Sequence, residues 1–138
     1  MRRFFVVFLV SIALLMLVAP AAMAGNPHFV GSPTITRSGN SLTVTGKEAG
    51  LGNEDQIHVV LTATALCING GGNNPNAANK QSVSAEGDFP VQNGKANFTL
   101  TVTATFQPSC SPPMSVTFTD VVLTDETNGL TRSFPGTF

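Results

Sequence analysis

The sequence predicts an all-β fold: an antiparallel β-sandwich of immunoglobulin-like architecture with about eight short strands, or alternatively a small β-barrel. Three observations support this prediction. Apolar and polar residues alternate along several segments, Asn-Gly pairs lie between segments, and no segment after residue 24 has helical periodicity. The chain lacks the cysteine and tryptophan pattern of an antibody domain, so the likeness is one of architecture.

Strict alternation identifies the strands. Residues 98–106 alternate without a break, with apolar side chains on one face and threonines on the other. Residues 57–67 follow the same pattern, and Leu42 and Val44 alternate with hydroxyl residues. These three segments are the predicted core strands.

A fourth strand needs a bulge to bury all its apolar residues. Val116 and Phe118 begin on one face, but Val121 and Leu123 fall on the other. One extra residue restores a common face. We therefore predict a β-bulge near Asp120.

Three short polar segments predict turns between strands. Asn93-Gly94 and Asn128-Gly129 are typical of tight hairpins, because both residue types tolerate positive φ. Ser38-Gly39-Asn40 is a third turn. Each lies between apolar residues that would begin and end neighbouring strands.

The first 24 residues have the pattern of a secretory signal peptide. Arg2 and Arg3 precede an apolar run from Phe4 to Ala19, and Ala22-Met23-Ala24 supplies small residues for cleavage. The alternative is an uncleaved membrane anchor, but the run is shorter than the roughly 20 residues of a spanning helix. We expect residues 1–24 to be removed and residues 25–138 to form a single secreted β domain.

Charge excludes some classes of partner. The full chain has a net charge of −1, and residues 25–138 keep five basic and eight acidic residues. Such a chain does not have the basic character of a nucleic-acid-binding protein. We expect no nucleic-acid partner, no cofactor, membrane contact only through the signal peptide during export, and a monomer.

The two cysteines predict one disulfide. In an exported chain, Cys67 and Cys110 are expected to pair, although two free thiols or a metal pair are alternatives. A disulfide requires the two Cα atoms to lie within about 7 Å. The segments after Cys67 and around Cys110 would then share one pole of the domain, with the segment 47–55 at the other.

The segment after Cys67 is rich in asparagine and glycine and is the predicted binding site. Its amides offer the donors and acceptors that sugar hydroxyls or peptide backbone require. The alternative is a structural loop whose amides satisfy its own backbone. The predicted binding residues are Asn69, Asn73, Asn74, Asn76, Asn79 and Lys80.

Several stretches resemble a family of small secreted proteins of bacteria and some fungi. The run from Cys67 to Pro75, the tripeptide Ala78-Asn79-Lys80 and the stretch from Gly46 to Asn53 carry the resemblance. Cys110 and the segment 125–129 extend it over most of residues 25–138. The resemblance implies export and a common β-rich fold, and it implies no activity and no catalytic residue.

These features favour a secreted, non-enzymatic interaction module that binds an extracellular protein or glycan through the Asn/Gly-rich loop. The alternatives are a secreted hydrolase using His58 or an acidic pair, and a passive structural protein of the envelope. Calcium has potential ligands in Glu54, Asp55, Glu86, Asp88, Asp120, Asp125 and Glu126, but their spacing is not that of an EF-hand.

Threonines on the predicted strands suggest one further surface. They could form a flat array that matches an ordered polymer, although threonine is also a common solvent-facing strand residue. The residues concerned are Thr62, Thr64, Thr99, Thr101, Thr103, Thr105, Thr117 and Thr119.

Overall fold

The computed structural model describes residues 25–69 and 79–138, which form eight β-strands and no helix. The strands are β1 (His28–Phe29), β2 (Thr34–Ser38), β3 (Ser41–Ala49), β4 (Gln56–Ile68), β5 (Lys80–Pro90), β6 (Lys95–Thr103), β7 (Ser115–Asp125) and β8 (Leu130–Phe134). The predicted signal peptide, residues 1–24, lies outside the described residues.

The strands form two antiparallel sheets. In sheet A, β3 is central, with β1 and β2 on one edge and β6 on the other. In sheet B, the order is β5-β4-β7-β8. The two sheets share one hydrophobic core, which confirms the predicted β-sandwich, and the barrel alternative is not observed in the described part of the chain.

Alternation places the core residues as predicted. Along β6, every second residue from Ala96 to Val102 is buried, and β4 buries the set from Ile57 to Cys67. The predicted strand 98–106 is shifted, since β6 begins at Lys95 and ends at Thr103. Its partner β3 begins at Ser41, so no strand remains to pair with residues 104–106.

The predicted bulge in β7 is confirmed. The pairing with β4 passes from Thr119 opposite Thr64 to Val122 opposite Thr62, so that two residues of β7 occupy one position. Asp120 has a φ of 51°, and Val121 is fully buried. The extra residue thus returns the second half of β7 to the core.

The turns agree with the prediction in two cases and differ in the third. Asn93 and Gly94 both have positive φ, and Gly39 has a φ of 57° between β2 and β3. Asn128-Gly129 does not form a two-residue hairpin, because the β7–β8 turn covers residues 126–129 and Gly129 alone has positive φ there. Asn128 instead uses its side chain within the turn.

The disulfide between Cys67 and Cys110 is present, with its Cα atoms 5.7 Å apart. It links the end of β4 to the segment between β6 and β7, as the pole prediction requires. Disulfides are typical of oxidising, extracellular environments. No helix within the described ranges is long and apolar enough to cross a membrane.

A glycine in β3 makes room for the largest fully buried side chain of sheet A. Gly46 lies opposite Phe98 in the register, and the ring of Phe98 covers it. A Cβ atom at position 46 would lie 2.5 Å from the Phe98 ring, while Phe98 is only 1% exposed and has little room to move.

We therefore predict that Gly46→Ala destabilises the protein by about 1–3 kcal/mol through overpacking. Adding Phe98→Leu should recover part of the loss, because the shorter side chain vacates the space over position 46. Chemical denaturation of the two single variants and the double variant measures this coupling. Strictly additive effects would contradict the proposed contact.

Candidate functional site

The predicted binding loop is only partly described. Asn69 is exposed after β4, Asn79 is half-buried before β5, and Lys80 is exposed at the start of β5. Asn73, Asn74 and Asn76 lie outside the described residues. The role of this loop in binding stays a prediction.

Two buried acidic residues meet at the opposite pole. Glu48 comes from β3 of sheet A and Asp125 from the end of β7 of sheet B, and both are fully buried. Asp125 accepts hydrogen bonds from the backbone N–H of Thr127 at 2.8 Å and from Asn128 Nδ2 at 2.7 Å. The same Asn128 nitrogen lies 3.1 Å from Glu54 Oε2.

The carboxyl of Glu48 holds a proton at neutral pH. Both of its oxygens are buried without a hydrogen-bond partner, so nothing offsets the cost of burying a negative charge there. Burial, followed by the nearby charges of Asp125 and Glu54, raises the pKa of Glu48 to about 8.

This pair joins the sheets but cannot reach a substrate in this conformation, because both oxygens of Glu48 are inaccessible. Within residues 25–69 and 79–138, no group of three or more His, Cys, Asp or Glu side chains is placed to hold a metal ion. The geometry therefore describes two acidic residues buried between the sheets, one from β3 and one from β7.

His58 lies among acidic side chains on the outer face of sheet B. Its Nδ1 atom is 2.7 Å from Asp88 Oδ1, and its Nε2 atom is 3.8 Å from Glu86 and 4.0 Å from Glu126. The hydrogen bond to Asp88, supported by the surrounding negative charges, raises the pKa of His58. The sequence placed His58 on this face but did not predict its partners.

The outer face of sheet A carries an ordered array of hydroxyl groups. The register of β2, β3 and β6 aligns three rows of three residues each. Oγ atoms of β3 and β6 bond across the strands at 2.8, 2.8 and 3.2 Å. The rows are Ser38–Ser41–Thr103, Thr36–Thr43–Thr101 and Thr34–Thr45–Thr99; we call these nine residues the hydroxyl array.

The threonines named from the sequence do not form one surface. Thr99, Thr101 and Thr103 belong to the hydroxyl array on sheet A. The second group comes from β4 and β7 of sheet B. Sheet B packs on the other side of the core, so the outward-facing threonines of these strands lie on the opposite surface of the domain. Its members are Thr62, Thr64, Thr117 and Thr119, whereas Thr105 follows the end of β6.

Basic and amide side chains continue the rows beyond the hydroxyl array. Lys47 lies opposite Asn97, and Ala49 lies opposite Lys95 in the next row. Around the two lysines is an open groove of about 390 Å³, lined by Lys47, Pro90, Gln92, Asn93, Lys95 and Asn97; we call it the lysine groove.

Comparison with protein-family models, with curated proteins and with solved structures finds no match. The resemblance noted from the sequence therefore stays a prediction.

The sequence analysis missed Glu48 and the lysine groove. A signal for Glu48 was present, since extending the alternation of Leu42 and Val44 along β3 places residue 48 on the inner face. The lysine groove depends on the pairing of β3 with β6, which local pattern does not give.

The first prediction from this geometry concerns Glu48 and pH. A pKa raised from 4.5 to about 8 means that the stabilising contribution of protonated Glu48 is full below pH 4.5 and is lost progressively as the pH rises from there to about 8. The full shift corresponds to at most about 5 kcal/mol. Glu48→Gln keeps the size of the side chain but removes the titrating group, and it should flatten this dependence.

Denaturant unfolding between pH 5 and 9 measures the effect, with the exposed Asp55→Asn as the control. We expect Glu48→Gln to be more stable than the parent at pH 9 and similar to it at pH 5. Parallel curves for the parent and Glu48→Gln would contradict a buried proton on Glu48.

The second prediction concerns His58. Asp88→Asn should lower the pKa of His58, because it removes the charged hydrogen-bond acceptor. NMR titration of the ring resonances measures this, with His58→Gln to assign them. Glu86→Gln should lower the pKa less, since Glu86 lies farther away, and an equal or larger effect would show that the Asp88 contact is not the main cause.

Proposed function

We propose that the protein is an exported, non-enzymatic binding module that holds a polysaccharide against the outer face of sheet A. The observation that carries this proposal is the hydroxyl array together with the lysines and Asn97 that extend its rows. Export is supported by the predicted signal peptide and by the disulfide.

The chemistry of the array suits a ligand rich in hydroxyl groups. A hydroxyl has one donor and two acceptor sites. In each bonded Oγ pair, one hydrogen is used within the pair and the other remains free for a ligand. The cross-strand bonds also fix the side chains before binding, which lowers the entropy cost of association.

The dimensions of the face suit an extended chain. Neighbouring strands lie about 4.8 Å apart, and same-face residues along a strand lie about 6.8 Å apart. The five rows from Ser41 to Ala49 on β3 therefore extend over about 27 Å. Such a surface can contact several consecutive sugars of one chain.

Removing the hydroxyls of the middle row tests the proposal. In Thr36→Val/Thr43→Val/Thr101→Val, each side chain keeps its shape and strand propensity but loses its hydrogen bonds. We expect binding to weaken about tenfold or more, since each hydrogen bond is worth about 0.5–1.5 kcal/mol. Affinity electrophoresis in gels containing xylan, β-glucan, galactomannan, polygalacturonate, alginate or hyaluronate measures this.

Two comparison variants locate the surface. Thr62→Val/Thr64→Val/Thr119→Val makes the same change on sheet B and should leave binding intact. Asn69→Ala/Lys80→Ala tests the predicted loop. Loss of binding in this variant alone would overturn the assignment to sheet A in favour of the loop, and no retardation of the parent in any gel would overturn polysaccharide binding.

A further inference from the structure

The basic side chains of sheet A indicate the chemistry of its ligand. Lys47 and Lys95 both project from the outer face, and neither forms a salt bridge within the described part of the chain. Their ammonium groups therefore have no protein counter-ion there. Gln92, Asn93 and Asn97 add amide groups around them in the lysine groove.

Among the described residues, no acidic side chain stands on the outer face of sheet A. Glu86, Asp88 and Glu126 surround His58 on the outer face of sheet B, and Asp120 lies in the bulge of β7. Glu54 and Asp55 lie in the loop before β4, where Glu54 lines a separate pocket that also includes Asn93. Of the residues that sheet A contributes to its outer face, none is acidic. A protein with more acidic than basic residues thus presents one positive face.

Glu48, the acidic residue of the sheet A strands, does not offset the positive charge of Lys47 and Lys95. Glu48 follows Lys47 in β3 but points into the core, where it is protonated at neutral pH. No acidic side chain of β3 or β6 therefore faces the two lysines in the lysine groove. A positive groove that continues a row of hydroxyls fits a ligand that alternates hydroxyl and anionic groups.

We infer that the ligand is an acidic polysaccharide whose uronate carboxylates bind at Lys47 and Lys95 while its hydroxyls contact the hydroxyl array. This inference rests on the proposed polysaccharide binding and specifies its substrate class. Lysine contributes a compact charge with three donors, and the neighbouring amides can bond to the sugar hydroxyls beside each carboxylate.

The test uses matched polymers that differ only in charge: polygalacturonate, alginate and hyaluronate, each beside its methyl-esterified form. Affinity electrophoresis of the protein should show binding to at least one uronate polymer and at least tenfold weaker binding to its ester. Raising the salt concentration should weaken the binding to the uronate, because salt screens exposed charges.

The variant Lys47→Gln/Lys95→Gln should weaken uronate binding about five- to thirtyfold, with its melting temperature unchanged. Arg132→Gln removes a positive charge from the β8 edge of sheet B and is the control, expected to bind like the parent. Equal weakening by both variants would show a general effect of net charge and would overturn the lysine groove as the site.

The two proposals fail in different ways. Equal binding to a polymer and to its ester would overturn the acidic ligand while leaving polysaccharide binding in place. Binding to neutral xylan, β-glucan or galactomannan without binding to any uronate polymer would also overturn the acidic ligand and leave polysaccharide binding in place. Absence of binding to every polymer, neutral or acidic, would overturn the proposed function itself.

Discussion

The burial of one face of each sheet is the constraint on which the rest of this structure depends. The core consists mainly of inward-facing residues of β3, β4, β6 and β7. Period-two alternation then fixes what the outer faces carry, because every residue between two core positions must point to solvent. The hydroxyl array is thus the outer counterpart of the apolar residues of β3 and β6.

Glu48 is the exception to an apolar inner face on β3. It follows Leu42, Val44 and Gly46 along the strand, and burial of its charge would be costly without compensation. The protein neutralises it with a proton and places it beside Asp125, whose own charge is met by donors from Thr127 and Asn128. The β7–β8 turn is thus held by the hydrogen bonds that Asp125 accepts from Thr127 and Asn128.

The same turn also connects the buried pair to the acidic cluster of sheet B. The backbone N–H of Glu126 donates to the carbonyl of His58, and the N–H of His58 donates to Thr127 Oγ1. Asp125 points inward to Glu48, while Glu126 lies near the imidazole of His58. The buried Glu48–Asp125 pair and the His58 cluster therefore both adjoin the turn formed by residues 126–129.

The local alternation of apolar and polar residues was sufficient to predict much of the fold. Alternation identified β4, β7 and most of β6, and the conflict between Phe118 and Val121 revealed the bulge. The end of β6 was misplaced, because a strand ends where its partner ends and the alternation continues to Phe106. The long strand β5 gave little signal, since its inner face includes Gln81 and Gly87.

The candidate site was harder to predict, because it depends on pairing between distant segments. Nothing local in the sequence states that Thr43 lies between Thr36 and Thr101, or that Lys47 lies beside Asn97. The sequence grouped threonines by similarity of pattern and so combined strands of both sheets. Register, which follows from the whole fold, decides which of them share a surface.

The two outer faces differ in charge for a reason that begins in the core. Lys47 and Glu48 are consecutive residues of β3 and would form a neutral pair if both were ionised. Burial suppresses the charge of Glu48 alone, so the lysine charge remains uncompensated on its face. Ionisation of Glu48 would place an uncompensated charge in the core and lower the positive potential at Lys47 together, so the stability of the fold and the charge of the lysine groove depend on the same buried group.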